Sequence, residues 1–154
     1  MAKKAGGYVS VSEVVPNLFV GCKPPEGTLL RDLGFHMLLL CASEHQPDAS
    51  RFPGVQVLRP RMLDDGTETP ADVVRKACPY ARAVASALSA RKKVLVTCQW
   101  GYNRSGIVAS LALRMRGMSA DQILRLMRSK RPGYDGFQAL GTPEYRAALD
   151  VGCR

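Results

Sequence analysis

One stretch of the sequence has the makings of a reactive site: Val94-Leu95-Val96-Thr97-Cys98-Gln99-Trp100-Gly101-Tyr102-Asn103-Arg104-Ser105-Gly106. A β-branched run ends at Thr97, Cys98 follows, and Arg104-Ser105-Gly106 opens an apolar stretch of helical length. A cysteine between a strand end and a helix N-terminus sits where backbone N–H groups converge and the helix dipole favours negative charge. That setting suits a thiolate, the nucleophilic form of the side chain. The N–H groups of a loop running through Gln99, Trp100, Gly101, Tyr102 and Asn103 to Arg104 form a nest for the oxygens of a tetrahedral phosphate. Arg104 adds a rigid two-pronged donor that lysine does not match. A thiolate beneath a bound phosphate, in line with the ester bond, is a nucleophile for phosphoryl transfer to sulfur. Ser105 is placed to hydrogen-bond that sulfur as it leaves in the hydrolysis step. A lone cysteine reads as core filling and a lone arginine as a solvated charge. Strand, spacing and helix together favour the phosphate loop.

The pattern Cys-x5-Arg-Ser-Gly resembles the phosphate loop of the cysteine-based protein tyrosine phosphatases, specifically their dual-specificity branch, and Asn103 before the arginine is similar to that branch. Val15-Pro16-Asn17-Leu18-Phe19-Val20-Gly21 resembles its opening strand, and Leu33 to Leu40 its helix-to-strand passage. Arg131-Pro132, Gly136-Phe137 and Leu140 are similar to the segment after its phosphate-loop helix. The resemblance implies a phosphomonoester hydrolase working through a phosphocysteine, with Cys98, Arg104 and Ser105 in the roles above. It implies no cofactor and no metal.

A phosphate ester also needs a proton donor for its leaving oxygen, usually a carboxylic acid on a nearby loop. Asp64, Asp65 and Glu68 stand on the polar segment before a helix start at Thr69. Leu63-Asp64-Asp65-Gly66 is similar to the Asp-Gly loop of phosphatases of regenerating liver and kinase-associated phosphatases. On that likeness Asp65 is the expected acid, with Asp64 as the alternative. Two departures from the family stand out. Thr97 occupies the place usually held by a histidine before the nucleophile, and Gly133-Tyr134-Asp135-Gly136-Phe137 lacks the asparagine usual there. The first motivates a second reading, a phosphate-binding pseudophosphatase with little turnover.

Strands alternate with helices around these residues. Apolar runs at Leu18–Gly21, Met37–Cys41, Val55–Leu58 and Val94–Thr97 read as strands. Glu26–Leu33 is expected to be a short helix with Gly34 after its end. Thr69-Pro70-Ala71-Asp72 opens a helix with Val73, Ala77, Ala81, Val84 and Leu88 on one face. Ile107–Met115 is apolar enough to be a buried helix, Ser119 to Gln122 is a capping box, and Thr142-Pro143 opens a last helix. The fold class is therefore α/β: a single domain with a central, mostly parallel sheet flanked by helices, like that of the protein tyrosine phosphatases. Residues 1–10 are expected to be a loose lead-in to a catalytic domain over 11–154.

The whole composition agrees with one domain. The chain has 154 residues, 46% apolar and 23% charged, which excludes disordered and fibrous classes. No apolar run has the length of a membrane span, and the N-terminus does not read as a secretory signal. Five cysteines with no CxxC pair and only two histidines argue against structural zinc. A disulfide framework is not expected in a chain able to build its own core, so Cys22, Cys41, Cys78 and Cys153 read as structural thiols and the setting as cytoplasmic and reducing. Lys and Arg number 22 against 13 Asp and Glu, a net charge of +9 that favours anionic partners. The expected partners are a phosphorylated protein or peptide, and inorganic phosphate or a similar oxyanion in the loop. Nucleic acid ranks behind them, with an RNA 5′-triphosphatase as the corresponding alternative activity. No membrane partner is expected. Trp100 and Tyr102 are expected near the pocket rim, Trp100 with a competing place in the core.

Overall fold

The computed structural model describes residues 2–4, 7–9, 11–132 and 139–153. In chain order its elements are β1 (Ala2–Lys4), β2 (Gly7–Val9), β3 (Val11–Val15), β4 (Leu18–Cys22), α1 (Leu29–Asp32), β5 (Phe35–Leu40), β6 (Gln56–Leu58), α2 (Pro70–Ser89), β7 (Lys93–Cys98), α3 (Arg104–Met115), α4 (Ala120–Lys130) and α5 (Pro143–Val151). The central sheet has the order β3-β4-β7-β5-β6. β7 is parallel to β4 and β5, β5 is parallel to β6, and only β3 runs antiparallel. The α/β fold with a mostly parallel sheet is as expected. Three stretches differ. The lead-in over 1–10 carries β1 and β2, paired antiparallel. β3 forms where no strand was expected. The helix expected over Glu26–Leu33 is only the single turn α1.

The apolar pattern explains the layers. Along β7, Val94 and Val96 face the cluster that holds α2 to α5, while Leu95 faces a smaller cluster with Leu30, Phe35, Leu38, Leu40 and Phe52. Both faces are covered, as a parallel sheet requires. Val73, Ala77, Ala81, Val84 and Leu88 of α2 are all buried. Thr69 caps α2 and Ser119 caps α4, each in a capping box with the residue three further on. α3 is buried from Arg104 through Leu113, so the helix behind the loop from Cys98 to Arg104 is locked in the core.

The cysteines correct one expectation. Cys78 of α2 and Cys153 beyond α5 form a disulfide, with their Cα atoms 5.7 Å apart. The packing of α5 on α2 brings two residues distant in sequence into bridging range, which spacing along the chain does not reveal. Cys41 and Cys98 are free thiols, and Cys22 is buried at the end of β4.

Candidate active site

Cys98 is the last residue of β7, at the C-terminal edge of a parallel sheet, and is only 3% exposed. Its Sγ lies 3.1 Å from Ser105 Oγ and accepts the Gly101 N–H at 3.2 Å. Both contacts suit a sulfur that carries negative charge. The first turn of α3 leaves the N–H groups of Arg104, Ser105 and Gly106 without intrahelical partners, and they open toward the loop.

The loop is held in shape from below by a residue whose role the sequence did not suggest. Arg131, 1% exposed, donates from Nε to Gly101 O at 2.6 Å, and from one terminal nitrogen to Val20 O at 2.9 Å and Ser12 Oγ at 3.2 Å. Its guanidinium stacks over the Tyr102 ring at 5.3 Å. Gly101 has φ +77°, and a Cβ there would stand 2.5 Å from Arg131 and 2.8 Å from the Gly21 carbonyl carbon. Leu140 N donates to Tyr102 O at 3.1 Å, so the segment after α4 closes against the loop. The expectation for Gly133 to Phe137 lies outside the described residues.

Arg104 is 5% exposed and pairs with Glu44 Oε1 at 2.5 Å. Burial works against its charge, but the Glu44 hydrogen bond and the acidic groups of Cys98, Glu44 and Asp64 more than offset it, and its pKa is raised. Its Nε is buried with no partner among the described residues, which leaves a donor uncommitted beside Cys98. Glu44 sits on a 3-10 turn, Ser43–His45. Partial burial favours its neutral form, but the Arg104 bond and charge prevail and hold the carboxyl below its usual value.

Asp64, rather than Asp65, reaches the cavity. It lines a space of about 330 Å³ together with Cys98, Gln99, Trp100, Asn103 and Arg104. Asn103 Nδ2 donates to Asp64 Oδ2 at 3.2 Å, and Thr142 Oγ1 donates to Oδ1 at 3.4 Å. The Thr142 N–H in turn donates to Asn103 Oδ1 at 3.4 Å. Asp65 instead accepts from Thr67 N at 3.0 Å and Thr67 Oγ1 at 2.6 Å, and those bonds lower its pKa. Of the two candidate proton donors, Asp65 is the expected one and Asp64 the alternative; the structure places Asp64 on the cavity and Asp65 in the turn at Gly66. Glu68 is buried and committed to Leu63 N at 2.8 Å and to Lys76. The Tyr145 hydroxyl donates to Leu63 O, so the residue before Asp64 is gripped on both sides.

Trp100 is 54% exposed at the rim, as one of its two expected placements. Tyr102 also lines the cavity, but it is buried, with Arg131 over its ring and its hydroxyl donating to Pro132 O at 3.4 Å. Thr97, where the family has histidine, donates its hydroxyl to Leu39 O at 2.8 Å and accepts from Gln46 Nε2 at 2.8 Å. Gln46 Oε1 takes the Ala42 N–H at 2.8 Å, so Thr97 ties the segment carrying Glu44 to β7. Burial pushes the Cys41 thiol well above its ordinary pKa, and nearby Cys98 adds to this against the opposing pull of Arg104. Among the described residues no cluster of His, Cys, Asp and Glu could hold a metal ion, and no helix is long and apolar enough to cross a membrane.

No family model and no curated protein matches the sequence. Solved structures do match. A Tyr-to-His variant of human DUSP28 is 28% identical with a TM-score of 0.75, over 92% of each chain. A mouse putative dual specificity phosphatase complexed with zinc tungstate is 27% identical with a TM-score of 0.76, over 98% of this chain and 91% of that one. By its fold the chain belongs to the dual-specificity and tyrosine phosphatase superfamily. Tk-PTP in its active form has the same phosphatase fold at 24% identity, with a TM-score of 0.73 over 94% of this chain and 97% of that one. The cavity around Cys98 lies at the open end of the phosphatase sheet, where α/β folds take their ligands.

Proposed function

We propose that the protein hydrolyses phosphate monoesters on phosphorylated proteins or peptides through a phosphocysteine. The observation that carries this reading is one cavity lined by Cys98, Arg104 and Asp64. Cys98 Sγ attacks phosphorus as a thiolate, and the S–P bond forms as the P–O ester bond breaks. Arg104 and the loop N–H groups hold the equatorial oxygens, which is positioning plus electrostatic stabilisation. Asp64 gives its proton to the leaving oxygen. As a carboxylate it then takes a proton from the water that attacks the phosphocysteine. Ser105, 3.1 Å from the sulfur, hydrogen-bonds the departing thiolate and releases inorganic phosphate. The oxyanion in the mouse relative's structure, a tungstate, supports a phosphate-like ligand for this loop. The chemistry needs Cys98 reduced.

The Glu44 contact to Arg104 favours a second reading, a phosphate-binding module with little turnover, because the phosphate-binding arginine is already engaged by an acid. Para-nitrophenyl phosphate hydrolysis by the wild type and by Cys98→Ser separates the two. Turnover that Cys98→Ser abolishes is expected. Equal, near-zero rates would leave the binding module. A panel of phosphotyrosine, phosphoserine and phosphothreonine peptides, run beside triphosphate-ended RNA, then assigns the substrate class. A large preference for the RNA would overturn the protein-phosphatase reading.

A further inference from the structure

A second cavity, of about 450 Å³, meets the first at Cys98 and Gln99. Its other walls include Lys23, Glu26, His45, Gln46 and Pro47. The sheet accounts for the position. β4 and β7 are parallel neighbours with Cys22 opposite Cys98, so Lys23 leaves the end of β4 beside Gln99. Lys23 has φ +47°, a backbone conformation that non-glycine residues adopt at a cost and that clusters at ligand sites.

The facing wall is tied down. Arg59 donates to Pro47 O at 2.5 Å, Ser43 O at 3.0 Å and Gln46 O at 3.4 Å. Gln46 is fixed by its bonds to Ala42 N and Thr97 Oγ1. A cavity with such a wall keeps its shape before a ligand arrives, which lowers the ordering cost of binding.

The charges around it do not cancel. Glu26 pairs with Arg51 at 2.7 Å, and Glu44, next to His45, is taken by Arg104. The exposed Lys23 ammonium makes no ion pair among the described residues. The cavity therefore presents one uncompensated cation, with the neutral amides of Gln46 and Gln99 beside it.

We propose that this cavity is a subsite for a carboxylate side chain next to the phosphoresidue of a phosphopeptide, with Lys23 as its cation. The inference rests on the reading above in one respect, that the phosphoresidue occupies the Cys98 cavity. An extended peptide advances about 3.3 Å per residue, so the residues flanking the phosphoresidue reach a space that begins at the same cysteine.

The test measures binding, so it does not depend on turnover. Cys98→Ser is titrated by fluorescence polarisation with phosphotyrosine and phosphothreonine peptides that differ only in the flanking residues: glutamate, alanine or lysine. The glutamate-flanked peptides are expected to bind about fivefold more tightly than the alanine-flanked ones, the scale of one partly exposed ion pair. Adding Lys23→Ala should remove that ratio, and adding Lys23→Glu should turn it toward the lysine-flanked peptides. The alanine-flanked peptide checks the fold of each variant. Equal affinity for all flanks, a ratio that survives Lys23→Glu, or no binding of any phosphopeptide would overturn the subsite. A glutamate preference without para-nitrophenyl phosphate hydrolysis by the wild type would remove the proposed turnover and leave the subsite standing.

Discussion

Asn103 of the phosphate loop donates a side-chain N–H to Asp64 of the acid loop across 3.2 Å. Thr142, at the entrance to α5, contacts both partners. Three segments far apart in the chain thus set the place of the Asp64 carboxyl relative to Cys98. The acid one residue further on has no part in this arrangement.

Asp64 and Asp65 should therefore behave differently. With a phosphoserine peptide, whose alkoxide leaving group needs a proton, Asp64→Asn is expected to lower kcat by about 10²- to 10³-fold, the usual scale of general acid catalysis. With para-nitrophenyl phosphate the loss should be much smaller, because that leaving group is weakly basic. Asp65→Asn should stay near the wild-type rate on both. Steady-state kinetics on the two esters checks this, and a larger loss in Asp65→Asn would return the acid role to that residue.

Glu44 should act by orienting Arg104. It holds one terminal nitrogen and leaves Nε uncommitted. Glu44→Gln is expected to lower kcat about tenfold with little change in KM, as an arginine less well aligned with the transition state would. A fall in KM with kcat unchanged would show instead that Glu44 competes with phosphate. The pH dependence has a definite sign. Glu44 has a lowered native pKa, so the stability it contributes is full above the ordinary carboxylate range and is lost as pH falls through the lowered value. The acid limb of an unfolding titration should therefore flatten in Glu44→Gln.

How much of this could be read from the sequence follows a physical divide. Cys98, Arg104 and Ser105 were visible because a strand, a loop and a helix that are contiguous in the chain fix them. α2 and α4 were visible through local capping chemistry at Thr69 and Ser119. Glu44, Gln46 and Arg131 were not, because each acts through a contact made only when distant segments pack. Arg131 reaches Gly101 and Val20 from the end of α4, and the family-like pattern of Arg131-Pro132, Gly136-Phe137 and Leu140 marked the segment without giving Arg131 its role. The choice between Asp64 and Asp65 turns on which side of a turn faces the loop, and adjacent identical residues carry no pattern to decide it.

Gly101 should tolerate no side chain. Its φ of +77° is strained for alanine, and the added Cβ meets the Gly21 backbone at 2.8 Å as well as the Arg131 guanidinium. Backbone in a central strand does not move aside cheaply. Gly101→Ala is expected to destabilise the fold by about 1–3 kcal/mol and to weaken tungstate binding, since the loop N–H groups lose their common focus. Urea unfolding and anion titration measure the two effects. Wild-type values in both would show that the loop shape does not depend on this close approach.

The Cys78–Cys153 bond should stabilise the fold and steady the acid loop together. It joins α2 to the segment just beyond α5 across a sequence separation of 75. Closing a long loop in the unfolded chain is worth about 2–4 kcal/mol. For a domain of this size, removing it should lower the melting temperature by roughly 5–15 °C. α5 also carries Tyr145, which bonds the carbonyl of Leu63, and it follows Thr142, which bonds Asp64. A Cys78→Ser/Cys153→Ser variant, assayed at the fixed reductant level that keeps Cys98 active, should then lose more rate on a phosphoserine peptide than on para-nitrophenyl phosphate. A lower melting temperature with equal losses on the two esters would confine the disulfide to stability. An unchanged melting temperature together with equal losses on the two esters would show that the bond contributes to neither.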